Sequence, residues 1–510
     1  MPSLSSPGKV KQTTQATMEK LLKELQYTDL HQQTRRHFLQ SAGFGLGALG
    51  FGSLLGSCGN AGAGEATLRK QASGTVGIPQ FAPKAKRVIY IHMAGAPSQL
   101  ELFDYKPQLE KYHGKDCPAE FLEGKKFAFI QGVPKMLGPQ GKFKQYGQSG
   151  AWLSDYLPYL QGVADEITFL KAMHTDQFNH APAQLLLHTG SARLGRPSLG
   201  AWAVYGLGSE NQNLPGFIVL ASGGRQPDAG KSVYGSGFLP SVYQGVQCRT
   251  GGDPVLYVTD PNGMNRDIRK HTIEAINEIN RRTYEDVKDP EILTRISQYE
   301  MAFRMQMSVP EVMDASKEPQ FILDMYGVKA GEGSFAMNCL LARKLIENDV
   351  RFVQLFDWGW DGHGTNATDN IEGGLRNKCQ LSDKPIAALI QDLKMRGLLE
   401  ETLVVFGAEF GRTPMQENRN GLVMPYMGRD HHLEAYTMWM AGGGVKRGHT
   451  HGETDELGYY GVKERVHVHD LQATILNLMG FNHEKFTYPF QGRNFRLTDT
   501  EGKVVKEVIA

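Results

Sequence analysis

The sequence predicts an α/β protein with a mostly parallel central sheet flanked by helices on both faces. Two observations carry the prediction. Short β-branched and aromatic runs have the look of buried strands, and helical stretches alternate with them as parallel connections require. Strands are expected at Arg87–His92, which empties into Gly95-Ala96-Pro97, then at Gly216–Leu220, Arg351–Asp357, Thr402–Gly407 and Ala435–Met440. Helices are expected at Ala181–His188, Asn265–Asp286, Pro290–Met307, Ser334–Asn348, Asp383–Arg396 and Leu471–Met479, the last opened by Asp470 as N-cap. Gly114–Gly150 and Gly223–Asn262, rich in Gly with interspersed Pro and Lys, read as long loop insertions over the sheet. A single domain over residues 87–510 follows, with a split near 260–330 as the alternative.

Ahead of that domain, Thr34-Arg35-Arg36-His37-Phe38-Leu39-Gln40 precedes a Gly/Leu/Phe-rich run from Ser41 to Ser57 that stops at Cys58. Paired arginines followed by a short, mildly apolar segment read as a twin-arginine export signal over residues 1–58, with 59–86 as a linker. The expected partner is then the twin-arginine export machinery, and the expected location is the periplasm or cell envelope. Leu55-Gly56-Ser57-Cys58 resembles a lipobox, so a lipoprotein anchored through Cys58 stands beside simple cleavage of the signal peptide. The long polar leader before Arg35 points to a translation start downstream of Met1.

Composition narrows the partners. With 55 Lys+Arg against 54 Asp+Glu, the charge balance argues against nucleic acid or anionic membrane; membrane contact would run only through the signal or a lipid anchor. Cys117, Cys248, Cys339 and Cys379 are scattered without CxxC spacing, which argues against a disulfide framework, a Cys-rich zinc site or covalent haem.

Open parallel sheets bind ligands beyond the carboxyl ends of their strands, so the polar residues just after each strand matter most. His92 ends the first strand; Asp357, Asp361 and His363 follow the third; Glu409 and Arg412 follow the fourth. In Trp360-Asp361-Gly362-His363 a carboxylate and an imidazole two residues apart point to one side of an extended backbone, where both can reach one divalent metal. Gly428-Arg429-Asp430-His431-His432 repeats the pattern, with Asp430 and His432 on one side and His431, a candidate catalytic group, on the other. Arg412 and Arg429 suit an oxyanion. His180 lies just ahead of a helix N-terminus, where an anion is favoured. The remaining candidates are His174, the pairs His449/His451 and His467/His469, and Ser98 in the turn after the first strand.

These motifs come in an order that resembles a known family. His92-Met-Ala-Gly-Ala-Pro-Ser98, Asn179-His180-Ala-Pro, Cys339-Leu-Leu-Ala-Arg343, Trp360-Asp-Gly-His363, Glu409-Phe-Gly-Arg-Thr-Pro414, Gly428-Arg-Asp-His-His432, Asp470-Leu-Gln-Ala-Thr-Ile-Leu476 and Gly492-Arg-Asn-Phe-Arg-Leu-Thr-Asp499 look like the signature set of bacterial domain of unknown function 1501. The resemblance implies an alkaline phosphatase/sulfatase-like core and a metal-supported hydrolase architecture. It also shows departures. Aligning His188-Thr189-Gly190 with the Leu-Thr-Gly of active sulfatases puts His180 at the nucleophile position. The paired acidic ligands after the first strand are replaced by His92-Met93-Ala94, and Ser-Asp-His-Gly by Ala408-Glu409-Phe410-Gly411. The expectation is an exported metal-dependent hydrolase of phosphate or sulfate esters on envelope or extracellular substrates. Asp361, His363, Glu409, Asp430 and His432 would hold zinc, calcium or manganese; Arg412 or Arg429 would bind the anionic group of a small or polymer-borne ester; His180 would be base or nucleophile. The alternative is a non-catalytic envelope binding or scaffold module that keeps the fold.

Overall fold

The computed structural model describes residues 79–250 and 266–510, except 126, 330 and 420. The twin-arginine segment, Cys58 and most of the expected linker lie outside the described residues.

One nine-stranded sheet organises the chain. Its strands are β1 (Arg87–Ala94), β2 (Ile167–His174), β3 (Phe217–Ser222), β4 (Val246–Cys248), β5 (Phe352–Trp358), β6 (Thr402–Gly407), β7 (Tyr436–Ala441), β8 (His449–His451) and β9 (Val466–His467). Their order is β8-β2-β7-β6-β1-β5-β3-β4, with β9 following β8 along the outer edge of β2. Strand β7 runs antiparallel to β2 and β6, and every other pairing is parallel. The mostly parallel α/β sheet expected from the pattern is the one observed.

The longer helices are α1 (His180–Thr189), α2 (Leu199–Leu207), α3 (Arg266–Val287), α4 (Pro290–Val312), α5 (Phe335–Glu347), α6 (Gly374–Met395) and α7 (Val468–Leu478). The pleat of β1 divides the core between them. Ile89, Ile91 and Met93 pack with Leu340 and Leu341 of α5 and Leu389 and Ile390 of α6. Val88 and Tyr90 face the other way, against Leu186 of α1, Trp202 of α2 and Ile475 of α7. His92 shares this second face, and the placement of α1 against it builds the site below.

Three expectations are corrected. The strand set expected from the sequence omits β2, whose apolar run is interrupted by Thr168 and Lys171, and Gly223–Asn262, expected as loop, contributes β4 to the sheet beside β3. Helix α6 begins at Gly374 rather than Asp383 and runs through Pro385, the Asn370 side chain accepting from the Gly373 and Gly374 amides at 2.6 and 3.3 Å. Asp470 is not the N-cap of α7. That position is His467, whose Nδ1 accepts from His469 N at 3.2 Å, while the Asp470 carboxylate reaches back to His467 N at 2.9 Å to complete a capping box.

Candidate functional site

Loops from the carboxyl ends of β1, β2, β5 and β6 converge on Asp361. Gly95, just past β1, has φ +111°, and a Cβ there would lie 2.5 Å from the Asp361 nitrogen. Only glycine lets the β1 and β5 loops touch at this point. Past β6, Gly411–Arg412 pairs antiparallel with His431–His432, so His431 and His432 project to opposite sides of a two-residue ribbon. The side facing Asp361 carries His431.

Three imidazoles surround the Asp361 carboxylate. Oδ1 lies 2.9 Å from His363 Nε2 and 3.2 Å from His431 Nε2, and Oδ2 lies 3.3 Å from His180 Nε2. Each ring is held from behind through Nδ1: His180 donates to Glu409 Oε1 at 2.7 Å, His431 to the Phe178 carbonyl at 2.8 Å, and His363 to Glu417. A ring fixed at Nδ1 offers Nε2, the orientation of histidines that ligate metals. His180 Nε2 is buried and makes no hydrogen bond, its approach to Asp361 being misaligned for one. Donor atoms of His180, Asp361 and His431 all lie within 4.8 Å of one another. This set suits a divalent cation. His180, Asp228 and Glu409 form a second such triple, but Glu409 already accepts from His180, His92, Gly95 N and Gln184, so its oxygens are taken up behind the ring.

Electrostatics follow from this crowding. Burial alone would raise the Asp361 pKa, but Arg412 and the three imidazoles hold it far below the carboxylate range. Burial pulls His180 down, yet Asp361 and Glu409 outweigh it and lift the imidazole to about 9. His431 goes the other way, to about 4, through burial and the nearby Arg412 guanidinium.

Several residues expected at the site are elsewhere. Both Asp430 oxygens face backbone amides, Oδ2 accepting from Phe129 and Ile130 at 2.7 and 3.0 Å and Oδ1 from His431 N at 2.7 Å. His432 Nε2 donates to the Tyr459 carbonyl at 2.6 Å, on the ribbon's far side. Arg429 is fully buried and forks onto Glu101, with Nη2 2.6 Å from Oε1. Arg412 spends its nitrogens on the carbonyls of Ala96, Arg429 and Gly95 and on Asp361, so it braces that carboxylate and leaves no free fork for an anion. Asp357 is engaged by Lys378, Ser222 and Trp360. His467 lies tilted between His174 and His469 at 4.9 and 5.0 Å, and His451 faces Glu464; among the described residues these histidines pair away from Asp361. Ser98 is a buried residue opening one helical turn.

Other partners were not singled out beforehand. Gln184 and His188 follow His180 at intervals of four along α1, a stripe that was open to reading. Gln354 is a polar residue inside a buried strand, also a visible signal. Glu417 and Phe129 had none. Phe129 stands edge-on to His363 and His431 at 5.8 and 5.5 Å, with the Arg419 guanidinium 5.0 Å from its ring centroid.

Fold and site together define an α/β protein whose sheet edge carries a histidine–carboxylate cluster with the donor set of a cation site. The chain belongs to the family described as protein of unknown function (DUF1501), which it matches over residues 85–509. No curated protein matches it. Similar solved structures include a protein in the alkaline phosphatase superfamily from Vibrio parahaemolyticus, at 10% identity and TM-score 0.36, covering 84% of this chain and 78% of that one. The PsFucS1 sulfatase from Pseudoalteromonas sp. is 13% identical at TM-score 0.34, covering 79% and 69%. The alkaline phosphatase from the Antarctic bacterium TAB5 is 12% identical at TM-score 0.32, covering 78% and 99%. At such distances function has to come from the chemistry of the site.

Proposed function

We propose that the protein is a metal-dependent hydrolase of phosphate or sulfate esters, exported by the twin-arginine route to act on envelope or extracellular substrates. The observation that carries this reading is the convergence of three Nδ1-anchored imidazoles on Asp361. His180, His431 and Asp361 would hold the ion, with His363 beside them. When bound, it would supply Lewis-acid stabilisation of the charge that builds on the ester. The protein's own groups do the rest. Arg412 fixes the Asp361 carboxylate, Glu409 and Glu417 fix two of the rings, and Asp361, its side chain 31% exposed, opens the cluster to solvent. Arg419, 43% exposed over Phe129 and paired through Nε with Glu417 at 2.8 Å, is a basic group beside the cluster that could meet an anionic substrate.

A binding or scaffold role draws on one observation, the Arg412 guanidinium already neutralising Asp361. The two readings separate in a screen of aryl phosphate and aryl sulfate esters with zinc, manganese or calcium added. Hydrolysis that drops at least a hundredfold in Asp361→Ala and in His180→Ala supports the enzyme. A folded protein inert toward every ester and metal supports the module.

A further inference from the structure

Behind Glu409 a line of buried polar groups runs into the core between β1, α1 and β5. His92 Nε2 lies 3.0 Å from Glu409 Oε2, His188 Nε2 lies 2.9 Å from His92 Nδ1, and Gln354 Nε2 lies 3.0 Å from His188 Nδ1. All four side chains are within 1% of complete burial. Their hydrogen-bond roles allow one direction. An ionised carboxylate only accepts, so His92 carries its hydrogen on Nε2. Its Nδ1 is then an acceptor, which places the His188 hydrogen on Nε2. His188 Nδ1 in turn needs a donor, and the Gln354 amide nitrogen is one. Every contact is satisfied with both rings neutral, so no charge enters the core. Glu409 stays an anion, its Oε2 facing His92 and its Oε1 left for Gly95 N at 3.1 Å, Gln184 at 3.2 Å and His180 Nδ1 at 2.7 Å.

We infer that Gln354, His188 and His92 are positioning residues that, acting through Glu409, keep the His180 hydrogen on Nδ1 and turn its Nε2 toward Asp361. Reversing the chain shows why direction matters. A carboxylate at position 354 would draw the His188 hydrogen to Nδ1; His188 Nε2 would then accept from His92 Nδ1, and His92 would show Glu409 a lone pair. Glu409 would then lose the donor on Oε2 and with it the hold that keeps Oε1 on His180 Nδ1, so the His180 ring would be free to turn its Nε2 away from Asp361. The tautomers stand on the geometry alone, and only the choice of a metal as the group served rests on the proposed function.

The test is 15N NMR of the full chain labelled at histidine, with zinc affinity measured by chelator competition. Wild type is expected to show His92 and His188 as neutral Nε2–H tautomers. Gln354→Glu is expected to convert both to Nδ1–H and to weaken zinc binding at least about tenfold. Gln354→Met, which fills the same space without reversing the chain, is expected to keep the His92 tautomer. Should Gln354→Glu fail to fold, a second pair gives the same contrast: His188→Gln, whose amide still donates toward His92, keeps zinc affinity, and His188→Leu loses about tenfold or more. An Nδ1–H tautomer at His92 in wild type overturns the inference, as does wild-type zinc affinity in folded Gln354→Glu. If wild type binds no zinc, the functional reading falls and the NMR result alone decides the inference.

Discussion

At Asp361 one carboxylate faces three imidazoles and a guanidinium, and at Glu409 one carboxylate accepts from two imidazoles, a backbone amide and a side-chain amide. The two acids differ in what can still reach them. Asp361 is partly exposed, whereas Glu409 is fully buried with donors on every side. Substituting Glu409→Gln therefore sets an amide NH2 against a ring of donors. A loss of about 3 kcal/mol in denaturant unfolding is expected, and a loss below about 0.5 kcal/mol would mean that the donors find other partners. Gly95→Ala belongs to the same scale. The added methyl meets the Asp361 backbone in a left-handed conformation, so destabilisation of about 2 kcal/mol or more is expected from the same measurement.

Element by element, the site was legible where a residue's direction follows from strand periodicity and illegible where it depends on which side of a ribbon faces inward. Asp361 and His363 do point the same way, and their side chains meet at 2.9 Å. Alternation also holds between His431 and His432, but the inward side belongs to His431, because the ribbon pairs with Gly411–Arg412. Asp430 turns to the Phe129 and Ile130 amides, which lie 301 and 300 residues away in the chain and leave no local trace. Arg412 and Arg429 look like anion binders in sequence, yet burial leads each to pair within the protein.

Helix α6 carries a separate titration. Asp383, 2% exposed, accepts from Tyr159 N and Leu160 N at 2.6 and 2.8 Å; burial outweighs these bonds and lifts its pKa to about 6. A raised folded pKa means the stabilisation is complete below the unfolded value near 4 and is lost as pH rises through about 6. Asp383→Asn is expected to flatten the stability–pH curve over that interval by about 3 kcal/mol at most. An unchanged slope in urea titrations from pH 4 to 7 would assign the pH dependence to other groups.

For the whole molecule, alternating runs and helices were enough to predict a mostly parallel sheet, because strands buried on both faces cannot hide their composition. What escaped were β2, broken by Thr168 and Lys171, the three-residue β4 inside an expected loop, and the short edge strands β8 and β9, held by pairing to β2 rather than by their own apolar content. The sheet also explains why residues from position 92 to 431 form one cluster: parallel strands deliver all their carboxyl ends to the same edge. A cation held there would tie the β2, β5 and β6 loops together through His180, Asp361 and His431. Zinc at about 100-fold above its dissociation constant is thus expected to add about 2.7 kcal/mol to unfolding, seen as a higher Tm in scanning calorimetry, with no rise in Asp361→Ala.

The most direct test of the cation cluster is elemental mass spectrometry on the purified full chain beside Asp361→Ala, His180→Ala and His432→Gln. About one divalent ion per chain is expected in wild type and in His432→Gln, and none in the other two. A folded, metal-free wild type, or an ion that survives Asp361→Ala, would contradict the account.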